Sequence, residues 1–148
     1  MPVSARYLGF SGLIPVIFGV LLAVFHPARD IQLIATAVTL AYGGIILSFI
    51  GGAWWGLAVK SDTGALTGWL IASVLPSLYA WGVVAIAWIA AAYMYASLMM
   101  AAGFVFALLV DRRLSLTGQA PAWWMRLRNP LSAAMGLLFL ALAGDAAS

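Results

Sequence analysis

The chain is a succession of long apolar runs separated by short polar breaks, and the length of the runs predicts helices that cross a lipid bilayer. Mostly apolar stretches occur at 8–25, 31–59, 65–85, 89–110 and 128–145, against a need of about 20 apolar residues to cross roughly 30 Å of hydrocarbon. Inside that layer the backbone finds no water, so a spanning segment must close its own hydrogen bonds as a helix. His26, Pro27, Arg29 and Asp30 end the first run, since proline cannot continue the ladder and charges seek water. The second run would reach about 43 Å as a straight helix and must tilt or protrude. Lys60, Ser61, Asp62, Thr63 and Gly64 form the next break.

The stretch 65–110 carries no charge at all, and as one helix it would be about 69 Å long, more than twice the hydrocarbon thickness. Two spans must share it, with their turn between Gly82 and Ala90 and with Trp81 and Trp88 in the aromatic belt there. Pro76 then falls inside the third helix, where a missing N–H predicts a kink. Asp111, Arg112 and Arg113 are expected to stop the fourth helix, leaving 111–127 as an interfacial loop. The last run is short enough that a re-entrant or interfacial helix is the alternative to a full span.

Composition agrees with lipid as the solvent. The chain of 148 residues is 66% hydrophobic and 7% charged, with a mean hydropathy of +1.09; a soluble domain carries roughly a quarter charged residues. The expectation is an all-α integral membrane bundle of about five transmembrane helices, forming one domain over 1–148. The N-terminal run lacks a small-residue cleavage pattern and is expected to be a retained span. The net charge of +3 is spread thinly and makes no basic stripe, which argues against a nucleic-acid partner. Its distribution is topological instead. With five spans, Arg6, Lys60, Arg112, Arg113, Arg126 and Arg128 share one side and only Arg29 lies opposite, so the N-terminus is expected in the cytoplasm.

Three groups of residues stand out as candidates. In the second span Gly44, Ser48, Gly52 and Gly56 recur every fourth residue, and Ser11, Pro15, Gly19 and Ala23 repeat the spacing in the first. Such rows let helices approach closely in lipid. They are expected to dock a partner or, more plainly, to pack the first two helices together, and a bulky group at Gly52 should do more harm than truncating Leu57. Hydroxyls at membrane depth, among them Tyr42, Ser73, Ser77 and Tyr79 beside Pro76, define a possible polar cavity. Their ordinary use is to bond back to their own helix or across to a neighbour. Finally, Trp54, Trp55, Trp123, Trp124, Arg126 and Arg128 interleave aromatic and basic side chains near the basic side, as an anchor for anionic lipid headgroups would.

Catalytic and cofactor chemistry find little purchase. Cysteine is absent and His26 is the only histidine, so thiolate sites and histidine clusters within one chain are excluded. No nucleophile–base set or phosphate-binding glycine loop occurs. No cofactor, no metal and no enzymatic activity are expected.

The stretches Leu8-Gly9-Phe10-Ser11-Gly12-Leu13-Ile14-Pro15 and Ala41-Tyr42-Gly43-Gly44-Ile45-Ile46-Leu47-Ser48-Phe49-Ile50-Gly51-Gly52, with Trp55-Gly56, carry a resemblance that runs over nearly the whole chain. Ser73, Pro76, Leu78, Ala80, Trp81, Asp111, Arg112, Pro121, Trp123, Arg126 and Arg128 extend it. The chain resembles a family of small bacterial and mitochondrial membrane proteins of unknown function that includes transmembrane protein 69. That resemblance implies a bacterial inner membrane, or a mitochondrial one in a eukaryote, and supplies no catalytic residue. The expected function is a non-catalytic accessory, scaffold or assembly protein that binds another membrane protein, itself or lipid. The alternative is a small channel or carrier for a neutral or lipid-like solute.

Overall fold

The computed structural model describes residues 1–60 and 66–146, all of its regular elements being helices. They are α1 (Val3–Ser11), α2 (Ile14–Phe25), α3 (Arg29–Val59), α4 (Leu66–Ala90), α5 (Tyr93–Leu116) and α6 (Trp124–Ala146). Taken together, α1 and α2 form one candidate span, and each of the other four is long and apolar enough to cross a membrane by itself, giving five. The all-α expectation is therefore met. The polar break at 61–64 and the first residue of the expected third span lie outside the described residues.

Several helix ends differ from those expected, each for a definable reason. The first span starts at Val3 and is broken at Gly12 and Leu13. Pro15 lacks the N–H that would bond Ser11 and its ring crowds that carbonyl. The turn between the third and fourth spans falls at Ala91 and Ala92, just past the expected Gly82–Ala90, so Trp88 is near a helix end while Trp81 projects outward from within α4. No polar residue marks this turn. Ala91 makes it by adopting φ +49°, the left-handed conformation that commonly terminates a helix and that a side chain disfavours. Helix α4 runs unbroken through the buried Pro76.

The largest correction is at 111–127. Helix α5 continues through Asp111, Arg112 and Arg113 to Leu116, and α6 begins at Trp124, so the expected interfacial loop shrinks to a short connection. The last helix, at 23 residues, is long enough to span. Asp111 does not end its helix because its charge never reaches water, whereas Arg112 and Arg113 are exposed near the carboxyl end of α5, where the helix dipole favours cations.

Helix α3 is the central element, packing against α2, α4 and α5. Its inner face is Gly43, Leu47, Ile50, Gly51, Trp54 and Ala58, spaced by threes and fours as a 3.6-residue helix requires. A strict four-residue row instead drifts by about 40° per step, and so by about 120° from its first member to its fourth. Gly44 accordingly abuts Ala80 of α4, Ser48 is half-buried, and Gly52 and Gly56 face open space. The close approaches fall at other glycines: a Cβ on Gly51 would collide with the Ser73 carbonyl of α4, and one on Gly43 with Phe139 of α6. In the first span Gly19 and Ala23 are buried, Gly19 directly under Thr39, while Ser11 and Pro15 face outward. The expected docking ridge is thus half packing surface and half exposed, and the penalty foreseen at Gly52 belongs to Gly51.

Candidate functional site: a buried carboxylate and a lateral groove

Two features of the bundle gather side chains with chemistry or space to offer. The first lies at the basic end, where the end of α3, the end of α5 and the start of α6 converge on Asp111, which is fully buried. Its Oδ1 accepts the indole N–H of Trp54 at 2.8 Å and that of Trp124 at 2.8 Å, while Oδ2 accepts the Nε–H of Arg128 at 2.5 Å. Trp124 and Arg128, four residues apart, occupy one face of α6 and reach the carboxylate together. A buried ion pair offsets its desolvation only when the remaining polar atoms are also bonded, and here three donors converge on two oxygens. The arrangement is a fastening: it ties three helices at one level.

This network corrects the anchoring role expected of several residues. Trp54 is wholly buried, whereas its neighbour Trp55 is 47% exposed. Trp123 and Trp124 are half-buried with ring centroids 6.0 Å apart, Arg126 is exposed, and Arg128 is 7% exposed. Of the proposed lipid anchors, Trp54, Trp124 and Arg128 are turned inward by Asp111, which leaves Trp55 and Arg126 as the outward-facing members. Asp111 itself went unnoticed as a site because a charge at the end of an apolar run reads as a helix stop. The available clue is the i, i+4 pair of Trp124 and Arg128, which points to one face only if 124–128 is helical.

The second feature is a groove of about 610 Å³ between α4 and α5. Leu47 of α3 forms its floor, with Pro76 and Tyr79 on one wall and Gly103, Phe106 and Ala107 on the other. Pro76 and Tyr79 therefore do line a cavity, but Tyr42, Ser73 and Ser77 do not, and the lining is almost wholly apolar. Several hydroxyls of the bundle are held by backbone carbonyls. Ser73 Oγ donates to the Leu70 carbonyl at 2.6 Å, and Thr36 and Thr39 donate to the carbonyls of Gln32 and Ala35. Tyr79 Oη crosses the groove to donate to the Met99 carbonyl at 2.5 Å. The expected polar cavity is thus corrected to an apolar one, with the Ser73 hydroxyl satisfied on the preceding turn of its own helix. Among the described residues, no three His, Cys, Asp or Glu side chains cluster as a metal site would require.

The family described as "Protein of unknown function (DUF3429)" matches residues 1–144. A curated relative, Transmembrane protein 69 of Xenopus tropicalis, is 37% identical over 86 residues. That match covers 54% of this chain and 32% of the relative, so the matched segment spans about a third of that protein's length. No solved structure matches. The resemblance carried by the glycine-rich stretches of the first two spans is therefore met at the level of the family: this multi-pass membrane protein belongs to the DUF3429 family of proteins of unknown function.

Proposed function

We propose that this protein is a non-catalytic accessory or assembly protein that binds another membrane protein, or lipid, from the side. The observation that carries the reading is the apolar groove between α4 and α5. In lipid, helices associate by close packing of small residues rather than by the hydrophobic effect. Ala102, Gly103 and Ala107 on one groove wall offer such a surface to a partner's helix. A carrier or channel needs a continuous polar path. The groove's one phenol is already donated to Met99, so the solute-transport reading has less support. The basic residues at the Asp111 end favour a cytoplasmic N-terminus, and the family resemblance favours a bacterial inner or mitochondrial membrane.

A photo-crosslinking residue in place of Phe106, at the groove, tests the reading in native membranes against one in place of Phe18, which faces outward from α2. Discrete crosslinked products from position 106 and not from 18 are expected. Indistinguishable smears from both, or saturable solute flux into liposomes holding only this protein, would count against it.

A further inference from the structure

The guanidinium that ties α6 to Asp111 is only partly used. Its Nε is bonded to Asp111, but among the described residues nothing accepts from Nη2, which is buried. One turn along α6 on the same face, Ser132 is 3% exposed and its Oγ is likewise buried without a partner. Both residues line one nook of about 40 Å³. The opposite wall is the end of α1 and the break before α2, with Gly9, Gly12 and Leu13. Ile46, Phe104 and Met135 complete it with apolar surface.

An unbonded donor on a buried cation is costly, by more than a neutral group would be, so the nook is built for an acceptor, preferably an anionic one. Its volume exceeds the roughly 10–15 Å³ that one water requires, and so admits more than a single oxygen. Asp111 does not meet the need: its Oδ1 holds the two indoles and its Oδ2 accepts from Nε, with no bond to Nη2. A guanidinium edge with a hydroxyl beside it matches the oxygens of a phosphate. Arg128 is the fifth residue of α6, about 6 Å along it from the start of the helix, and so lies towards the basic end of the bundle. Exposed Arg6, Arg112, Arg113 and Arg126 surround the same end and would enrich anionic headgroups near it.

We infer that the seam between α6 and the α1–α2 break is a phosphate-binding site, in which Arg128 Nη2 and Ser132 Oγ hold the phosphate oxygens of a lipid headgroup or of free phosphate. This deepens the lipid-binding half of the proposed function, but at a site remote from the α4–α5 groove, so that either can fail alone. Arg128 keeps its Nε on Asp111 and holds the phosphate through Nη2.

The test uses the full chain, delipidated in detergent, with ³¹P NMR and native mass spectrometry in two arms: phosphatidylglycerol and inorganic phosphate. Ser132→Leu and Gly12→Leu add bulk at two residues that line the nook from opposite sides and alter neither Asp111 nor Arg128. Folding is followed separately through the fluorescence of the tryptophans on Asp111, and if one variant does not fold the other decides. Binding of one phosphate group per wild-type chain in at least one arm, weakened about tenfold or more in a folded variant as expected for losing a charged hydrogen bond, supports the site. The arm that binds names the source. No phosphorus bound in either arm, meaning a nook filled by water, would overturn it, as would binding equal to wild type in the folded variants, which would locate the phosphate on the exposed arginines instead.

Discussion

Helix α5 has two seams, and they are closed in opposite ways. Towards α6 it packs closely along its length, with Phe104 stacked on Phe139 at 5.8 Å and the Asp111–Arg128 pair near one end. Towards α4 it packs sparsely, bridged by Tyr79 and Met99 and opening into the groove above Leu47. Both seams are apolar in composition. The difference lies in what supplements the apolar contact, because lipid chains satisfy a leucine as well as another leucine does. Where a carboxylate collects three donors, the helices have no comparable alternative in lipid. Where the supplement is one phenol, space remains for another molecule.

The comparison is most sharply broken by removing the carboxylate. Asp111→Ala leaves Arg128 buried without its partner and should cost about 3–5 kcal/mol, read as a fall in unfolding midpoint in detergent. A loss below about 1 kcal/mol would mean the seam closes without the ion pair. Trp54→Phe keeps an aromatic ring, though a smaller one, and removes one donor, for an expected loss of about 1–3 kcal/mol and a smaller shift of the same midpoint. It also separates Trp54 from Trp55, whose replacement by Phe should remain within about 0.5 kcal/mol, as for surface positions generally.

Glycine substitutions probe the packed seam between α3 and α4. Gly51→Ala forces a methyl against the Ser73 carbonyl of α4 and should destabilise by about 1–3 kcal/mol, whereas Gly52→Ala, with nothing near it, should be neutral to within about 0.5 kcal/mol. Equal effects at the two positions would contradict the phase assigned to α3. One expected effect is a gain. Ala91→Gly relieves the left-handed φ at the α4–α5 turn and should stabilise by about 0.5–1 kcal/mol, visible as a higher midpoint. Destabilisation there would show that Ala91 is held by packing.

These residues also mark how far the sequence alone could be read. The spans were legible because crossing a bilayer demands long apolar runs and helical hydrogen bonding, and both constraints are local. The break at Pro15 and the turn at Ala91 were less so. The first needs the fate of one carbonyl, and the second lies in a stretch where every residue is apolar. Least legible was the site. Trp54 and Trp55 are adjacent and identical in composition, yet one turns inward to a carboxylate 57 positions away and the other faces outward. Nothing local distinguishes them. The four-residue glycine row misled for a geometric reason, since a helix of 3.6 residues per turn carries such a row gradually off its face. The groove was foreseen through Pro76 and Tyr79, but its chemistry was not, because a side chain's hydroxyl does not reveal that a neighbouring backbone carbonyl already holds it.

The central claim is that an ion pair, added to the apolar contact, fastens α5 to α6. A double-mutant cycle on Asp111→Leu and Arg128→Leu in detergent tests it directly. Each single change strands a buried charge, while the double change strands none and leaves apolar side chains in contact. The account predicts that the double variant is more stable than the sum of the single losses by about 2 kcal/mol or more. Losses that add to within about 0.5 kcal/mol would contradict it, since they would mean that the two charges act independently.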